Sequence, residues 1–461
     1  MNEISLLLGT GKPATTMKKK KTEIVVNIGT GGTIASINTK NGITPKLTVE
    51  DLIKEAQSSI STEAYDLMMK DSANMTWSDR IKIGHACSQH LKRDDVRGII
   101  VTHGSDTAAV IGYVLELGMK YINKPVVITC AMRDKDDPDY DGIKNLKDSM
   151  RIAFEGNFAD ILFSVGGNVF KIENLREIRN YDADMPFNPD LRERIAYFND
   201  GHLKYNDTLF IRKGTRNKGP SIVFRNIEQD KIEKLNSLLK NIIKAEDVIG
   251  YSQLEPGMHF YNSEFDERVK YINSFDDKFD SSGIYVIDAL SSTKGYEKMA
   301  LEGDLNGVII EGFGKGHICM HGKKSWRPFL EICQRENIPV IMCTKYTGPV
   351  SQIYEVAKDI ARYGVIPSGD WIPEAAFVRL AYLNGHKKEL EAVTRRYGIP
   401  KLDLMKRLWK QLYIGGARWE YTEEAREFER KEGVFTGIDL LSSNFLFKDA
   451  AEFAAKIVLM K

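Results

Sequence analysis

Two short runs in this chain combine residue types that could do chemistry: Gly29-Thr-Gly-Gly-Thr33 and Thr102-His-Gly-Ser-Asp-Thr107. A glycine turn after an apolar run lets the backbone approach a ligand and points N–H groups into a cleft. Thr33 on such a turn suits a hydroxyl nucleophile attacking a carboxamide. Other readings stay open. A phosphate cradle would call for a lysine and a dinucleotide turn for a further glycine, and both are absent; a purely structural tight turn needs neither. In the second run, Ser105 beside Asp106 could orient a water or hold an ammonium group. The same residues before an apolar helix also read as a helix cap. Two hydroxyl-bearing strand ends facing one crevice favour chemistry over capping. His103 reads as a hydrogen-bonded strand-end residue and not as a base.

The elements around these runs must hold them together. Strands are expected at Glu23–Ile28, Arg97–Thr102, Lys124–Cys130 and Ala159–Val165, separated by helical patterns such as that following Thr107. Strands alternating with helices mean a parallel sheet with crossover connections. In such sheets the ligand site lies outside the carboxyl ends of the strands, which is where both runs fall, together with Ala131-Met-Arg and the acidic loop after it. A second α/β unit has strands at Gly283–Asp288, Gly307–Glu311 and Ile338–Met342. The expected organisation is a flexible tail over 1–21, a catalytic domain over 22–205, an insertion or linker over 206–280, a second domain over 281–385 and a helical extension over 386–461.

Composition narrows the class. The 461 residues are 42% apolar and 28% charged with a net charge of +1, which is ordinary for a globular protein and gives bulk electrostatics no nucleic-acid role. No apolar stretch is long enough to span a membrane, and the amino terminus, with its lysines after the apolar run, reverses the order of a secretory signal. Five widely spaced cysteines without a CxxC pair argue against a zinc site or a disulfide framework and fit a reducing cytoplasm. The loop Asp137-Pro-Asp-Tyr-Asp-Gly142, with Asp148 in the twelfth place, approximates a calcium loop but has Asp where a bidentate Glu belongs. No metal and no other cofactor is expected.

Taken together, these segments resemble the L-asparaginase-like amidohydrolase family. Thr30-Gly-Gly-Thr33-Ile-Ala is similar to its first signature and Thr102–Thr107 to its second. Asp71-Ser-Ala-Asn-Met-Thr76 resembles its substrate-carboxylate loop, and Ala131-Met-Arg with Asp141–Leu146 its next segment. Gly307–Gly316 and Pro373-Glu-Ala-Ala376 resemble signatures of its smaller domain. Within the family, Gly42-Ile-Thr-Pro and Ser72–Trp77 lean towards the branch with the asparaginase-like subunit of glutamyl-tRNA(Gln) amidotransferase. The resemblance implies a large Rossmann-like parallel-sheet domain followed by a smaller flavodoxin-like one. It implies Thr33 as nucleophile, with Ser105 and Asp106 in the catalytic group. Ser72 would hold the substrate's carboxylate, with Gly32, Ala73, Gly104 and Ala131 around it. Glu177 falls where the family carries a catalytic lysine, with Arg176 adjacent. The segment Ser36–Lys46 lacks the family's assisting tyrosine, and His317 stands in place of an asparagine. The activity implied is hydrolysis of an Asn- or Gln-type carboxamide, in a small molecule, a peptide or an aminoacyl-tRNA, nucleic acid entering only through such a tRNA. The alternative is an altered asparaginase fold that binds a ligand or a protein. A homo-dimer or tetramer is expected, with Tyr354 or Glu355 near a neighbour's site, and residues 386–461 could meet a protein partner.

Overall fold

The computed structural model describes residues 23–205 except 121, 157, 159, 173–174, 178–181, 184–185 and 188–193; residues 222–224, 249–252 and 258–261; residues 273–411 except 347–349, 351–353 and 370; and residue 455. The expected tail over 1–21, most of the segment over 206–280 and most of the extension beyond 411 lie outside the described residues.

The large domain opens with β1 (Ile24–Gly31), a run of β-branched residues buried on both faces, as a central parallel strand requires. A hairpin of β2 (Ser36–Thr39) and β3 (Gly42–Pro45) follows, then α1 (Val49–Ala56), β4 (Thr62–Lys70), α2 (Trp77–Leu91), β5 (Val96–Thr102), α3 (Ser105–Gly118), the short β6 (Met119–Lys120), β7 (Val126–Thr129), α4 (Gly142–Glu155) and β8 (Ile161–Val165). Antiparallel strands β9 (Asn168–Lys171), β10 (Arg194–Asn199) and β11 (His202–Tyr205) complete the sheet, whose order is β11-β10-β9-β8-β7-β5-β1-β4. Strands β4, β1, β5, β7 and β8 run parallel. The chain leaves β1 for β4 on one side and returns to β5 on the other, so the carboxyl ends of β1 and β5 flank the topological switch point. Sequence pattern gives no strand at β4, because it is a half-buried edge whose polar and apolar residues break any simple alternation.

Short strands β12 (Ile222–Phe224), β13 (Ile249–Ser252) and β14 (Met258–Tyr261) form a small antiparallel sheet, and β15 (Ser274–Phe275) pairs with β6. The smaller domain is β16 (Ile284–Asp288), α5 (Lys294–Glu302), β17 (Gly307–Gly312), α6 (Arg327–Arg335), β18 (Val340–Thr344), α7 (Glu355–Ala361) and β19 (Ile366–Pro367). Its four strands are parallel and lie in chain order. Helix α8 (Pro373–Gly385) follows, then α9 (Lys387–Tyr397) and α10 (Lys401–Gln411). Among the described residues no helix is long and apolar enough to cross a membrane.

Helix α8 joins the domains. Its Leu380, Ala381 and Leu383 are buried in one continuous core with Ile111 and Val114 of α3, and with Ile309 and Ile341 of the small sheet. A buried polar chain crosses the same junction. The Lys120 ammonium donates to Leu117 O and to Tyr382 Oη, both at 2.7 Å. Tyr382 Oη donates to Asp276 Oδ2 at 3.1 Å, which also faces His386 Nε2 at 3.0 Å. Burial pushes the Lys120 amine down to about 8, against the opposing pull of Asp276. For Asp276, burial acts upward, but His386 and Lys120 outweigh it and hold the carboxyl well below its ordinary range.

Tyr382→Phe should therefore lower stability by about 1–3 kcal/mol in urea unfolding, because it leaves a buried ammonium short of an acceptor. The sign of the pH dependence follows as well. Between pH 8 and 10.5 the unfolded chain holds the Lys120 proton and the folded chain sheds it, so this group makes stability rise with pH across that window. The difference between wild type and Lys120→Met, measured at several pH values, should show that rise in the wild type alone.

Candidate functional site

The crevice at the ends of β1 and β5 is built by backbone contact. Gly31 and Gly32 take φ of +95° and +78°, a region that side-chain-bearing residues rarely occupy. A Cβ on Gly32 would overlap the backbone of Gly104, and one on Gly104 would overlap the side chain of Ser72. Three segments from the ends of β1, β4 and β5 thus meet with no side chain between them. Hydrogen bonds fix the contact: Gly32 N donates to Lys70 O at 2.9 Å, and the buried Thr30 Oγ1 donates to Thr102 O at 2.8 Å. Beyond Gly32 the chain turns through one short 3₁₀ segment, Thr33–Ala35, with Thr33 half-buried at its start.

Across the crevice α3 begins at Ser105. Gly104 occupies the N-cap position and no side chain caps the helix. Ser105 and Asp106 are therefore not the caps that the structural alternative required, and the helix dipole favours a negative charge where Asp106 stands. The buried Ser72 directs its hydroxyl at Asp106 Oδ2 across 3.4 Å, while Ser72 O accepts from Thr107 Oγ1 at 3.1 Å. Ala73 is exposed on the same turn, its amide donating to the Asp71 carboxylate. Ala131 is fully buried just beyond β7, the neighbour of β5.

Glu177 reaches the same place from the far side. Burial raises its carboxyl above the ordinary range, the charge of Asp106 raises it further, and a hydrogen bond with the Ser105 hydroxyl opposes both. Two carboxyl groups and a hydroxyl thus share one small space, the arrangement in which a single proton is held between acids. Arg176, the adjacent residue, turns the other way and faces Glu374 of α8, with Nη2 to Oε1 at 3.7 Å. Buried His103 holds its Nδ1 2.8 Å from Gly104 O. Burial lowers its imidazole to about 4, with Arg80 adding to the effect, so it is neutral near pH 7 and serves the loop structurally.

The acidic loop supports the floor of the crevice. Asp141 accepts from the amides of Met132 and Arg133 and from Asn145 Nδ2, and Asn145 also bonds Cys130 O and Gly166 N. Tyr140 Oη donates to Ile34 O at 2.6 Å, which ties the loop to the residue after Thr33. Asp136 accepts from Asn38 N on the β2–β3 hairpin. These carboxylates knit turns, and among the described residues no group of three or more His, Cys, Asp or Glu side chains is placed to hold a metal. Sequence reasoning missed Tyr140. Its one signal was an aromatic residue set among four aspartates, which says nothing about which turn it reaches. In the small domain, His317 packs edge-on against Tyr354 at 4.9 Å.

Comparison with known proteins agrees with this architecture. The family model described as Asparaginase, N-terminal matches residues 24–210, and that described as Glutaminase/Asparaginase C-terminal domain matches residues 291–396. The asparaginase-family subunit of glutamyl-tRNA(Gln) amidotransferase from Pyrococcus abyssi is 26% identical over 385 residues, covering 80% of this chain and 74% of that protein. L-asparaginase of Thermococcus kodakarensis is 24% identical over 379 residues, covering 80% and 94%. Among solved structures, the thermostable L-asparaginase from Thermococcus kodakarensis superposes with a TM-score of 0.60 at 23% identity over 82% of this chain and 96% of that one. The probable cytoplasmic L-asparaginase from Campylobacter jejuni gives 0.54 at 19% identity over 79% and 95%.

Gly32→Ala is the sharpest structural test of the crevice. The new methyl must both adopt a positive φ and displace Gly104, so a loss of about 1–3 kcal/mol is expected from the strained backbone alone, read as a lower urea midpoint. Gly42→Ala shares the positive φ but meets open space and should cost distinctly less.

Proposed function

From the premise that this chain belongs to the asparaginase family, we propose that it hydrolyses an Asn- or Gln-type carboxamide with Thr33 as nucleophile. Family membership supports amide hydrolysis at the family level; the residue roles are inferred from the crevice. The observation that carries them is the convergence of Gly32–Thr33, Ser72 and Ser105–Asp106 in one place, secured by the backbone contact of Gly32 with Gly104. The Thr33 hydroxyl attacks the amide carbon, ammonia leaves, and water cleaves the resulting ester. Backbone N–H groups of the glycine turn stabilise the oxyanion, each worth about 3–4 kcal/mol in the transition state. Ser72 holds a carboxylate of the substrate, with Gly32, Ala73, Gly104 and Ala131 shaping the space around it.

Proton transfer falls to Ser105, Asp106 and Glu177. A lysine beside Asp106 would keep the carboxylate charged; a glutamate makes the pair share a proton instead. Arg176 does not supply the missing cation, since it faces Glu374. This reversal of sign supports a narrower activity: free L-asparagine is a poor substrate, and the natural carboxamide is carried by a larger molecule. The Pyrococcus abyssi relative is named as part of a tRNA amidotransferase, which makes an aminoacyl-tRNA one such carrier. Residues 386–461 are then the surface for a protein partner, and a homo-oligomer would bring Tyr354 or Glu355 near a neighbour's crevice. The same Glu177–Asp106 pairing also favours a second reading, an altered fold that binds its ligand without turning it over.

Thr33→Ala should abolish ammonia release while leaving the urea midpoint within about 0.5 kcal/mol of wild type, as a cleft-edge hydroxyl without structural bonds would. Retained activity above a few per cent would remove Thr33 from the mechanism. Asp106→Asn should reduce the rate by about 10²–10⁴-fold if its carboxylate moves a proton. An altered melting temperature with unchanged rate would leave it a purely structural role.

Glu177→Lys should raise turnover of free L-asparagine, and wild-type turnover on the order of 10 s⁻¹ or more would sink the reading of a poor free-amino-acid substrate. The raised Glu177 carboxyl also gives a stability signature. The folded chain holds this proton to higher pH than the unfolded chain does. Its stabilising contribution is complete below the unfolded value near 4.5 and is lost as pH rises through the folded value. Glu177→Gln should flatten that decline in pH-dependent urea unfolding.

A further inference from the structure

A second recess lies between the domains, behind the hydroxyl-bearing crevice. It is a cleft of 390 Å³ in which Trp77, Arg80 and Arg176 of the large domain face Glu311, Glu374 and Phe377 of the small one. The size is that of small-molecule sites, which combine apolar walls with a few convergent polar groups. The charges are sorted by wall, two guanidinium groups opposite two carboxylates. Arg176 and Glu374 approach only to 3.7 Å, longer than a hydrogen bond, so they face each other across the space without closing it. Arg80 Nε and Glu374 Oε2 are each buried without a hydrogen-bond partner among the described residues. Nor does the half-buried Glu311 carboxylate have one there. Buried polar atoms are rarely left unmatched in a folded protein. Trp77 and Phe377, with ring planes 19° apart and centroids at 6.1 Å, supply a continuous apolar surface beside the charges.

We infer that this cleft binds a zwitterionic α-amino acid with an apolar side chain. Its carboxylate would meet Arg80 and Arg176, its ammonium Glu311 and Glu374, and its side chain the Trp77–Phe377 surface. The neutral sum of the four lining charges selects the ligand. A simple anion would add negative charge beside two carboxylates, and a simple cation would do the same beside two guanidinium groups, whereas a zwitterion answers both walls. The site is distinct from the crevice of Thr33, because Arg176 and Glu177 are consecutive and face opposite ways. It therefore stands whether or not Thr33 is a nucleophile.

Isothermal titration of the full chain with L-phenylalanine tests the inference, with 3-phenylpropionate and phenethylamine as ligands that keep only one charge each. Saturable binding of L-phenylalanine is expected, at least about tenfold tighter than either analogue, a difference of about 1.4 kcal/mol. Glu374→Gln and Glu311→Gln should each weaken it by about tenfold or more, and Thr33→Ala should bind as wild type does. The inference is overturned by absence of binding at about 10 mM ligand, by equal binding of either analogue, or by binding that both glutamate substitutions leave intact. Loss of binding in Thr33→Ala would overturn it too, by assigning the ligand to the other crevice. The analogue comparison uses the wild-type chain alone, so it decides the matter even if a substitution prevents folding.

Discussion

Gly32 and Gly104 touch backbone to backbone, and much of the large domain is arranged so that they can. Strands β1 and β5 must be adjacent and parallel, with their carboxyl ends level, to bring the two turns together. The pair lies where the strand order reverses, the one place in such a sheet where neighbouring loops diverge and leave a crevice. Any side chain at Gly32 would hold the turns apart, and the positive φ there disfavours one in any case. The hydroxyls of Thr33, Ser72 and Ser105 are brought together by this contact and by the hydrogen bonds of Thr30 and Gly32 that accompany it.

Charge is organised around this contact with less freedom than composition suggests. The chain is close to neutral overall, yet the crevice gathers Asp106 and Glu177, while the guanidinium of Arg176 lies on the opposite side of the same segment. The consequence is an acidic pocket that holds a proton and, behind it, a cleft in which opposite charges face one another. His103, which its position would recommend as a base, is kept neutral by burial.

The two domains are joined by apolar packing and by charges that water does not reach. Helix α8 packs on α3 with one face and on the small sheet with another. The chain Lys120–Tyr382–Asp276–His386 crosses the same boundary. Breaking such a buried network is costly because the remaining partner keeps its desolvation penalty. The geometry of the interdomain cleft, with Arg176 opposite Glu374, is held by that junction.

Residue pattern alone determined the class of the fold. Short β-branched runs such as Ile24–Ile28 and Val308–Ile310 can only be buried parallel strands once helices separate them, and the glycine turn and hydroxyls after β1 and β5 mark where a ligand belongs. Local sequence could not decide what depends on distant partners. The edge strand β4 carries no clean alternation, because half of it faces solvent. Tyr140 gives no sign that it reaches Ile34. Arg176 and Glu177 are neighbours in sequence, and only the packing of α3 and α8 against their segment decides that the carboxyl joins Asp106 while the guanidinium meets Glu374. Backbone pattern is a property of a few consecutive residues, whereas the direction of a side chain and the charge it meets are set by whatever the folded chain brings alongside.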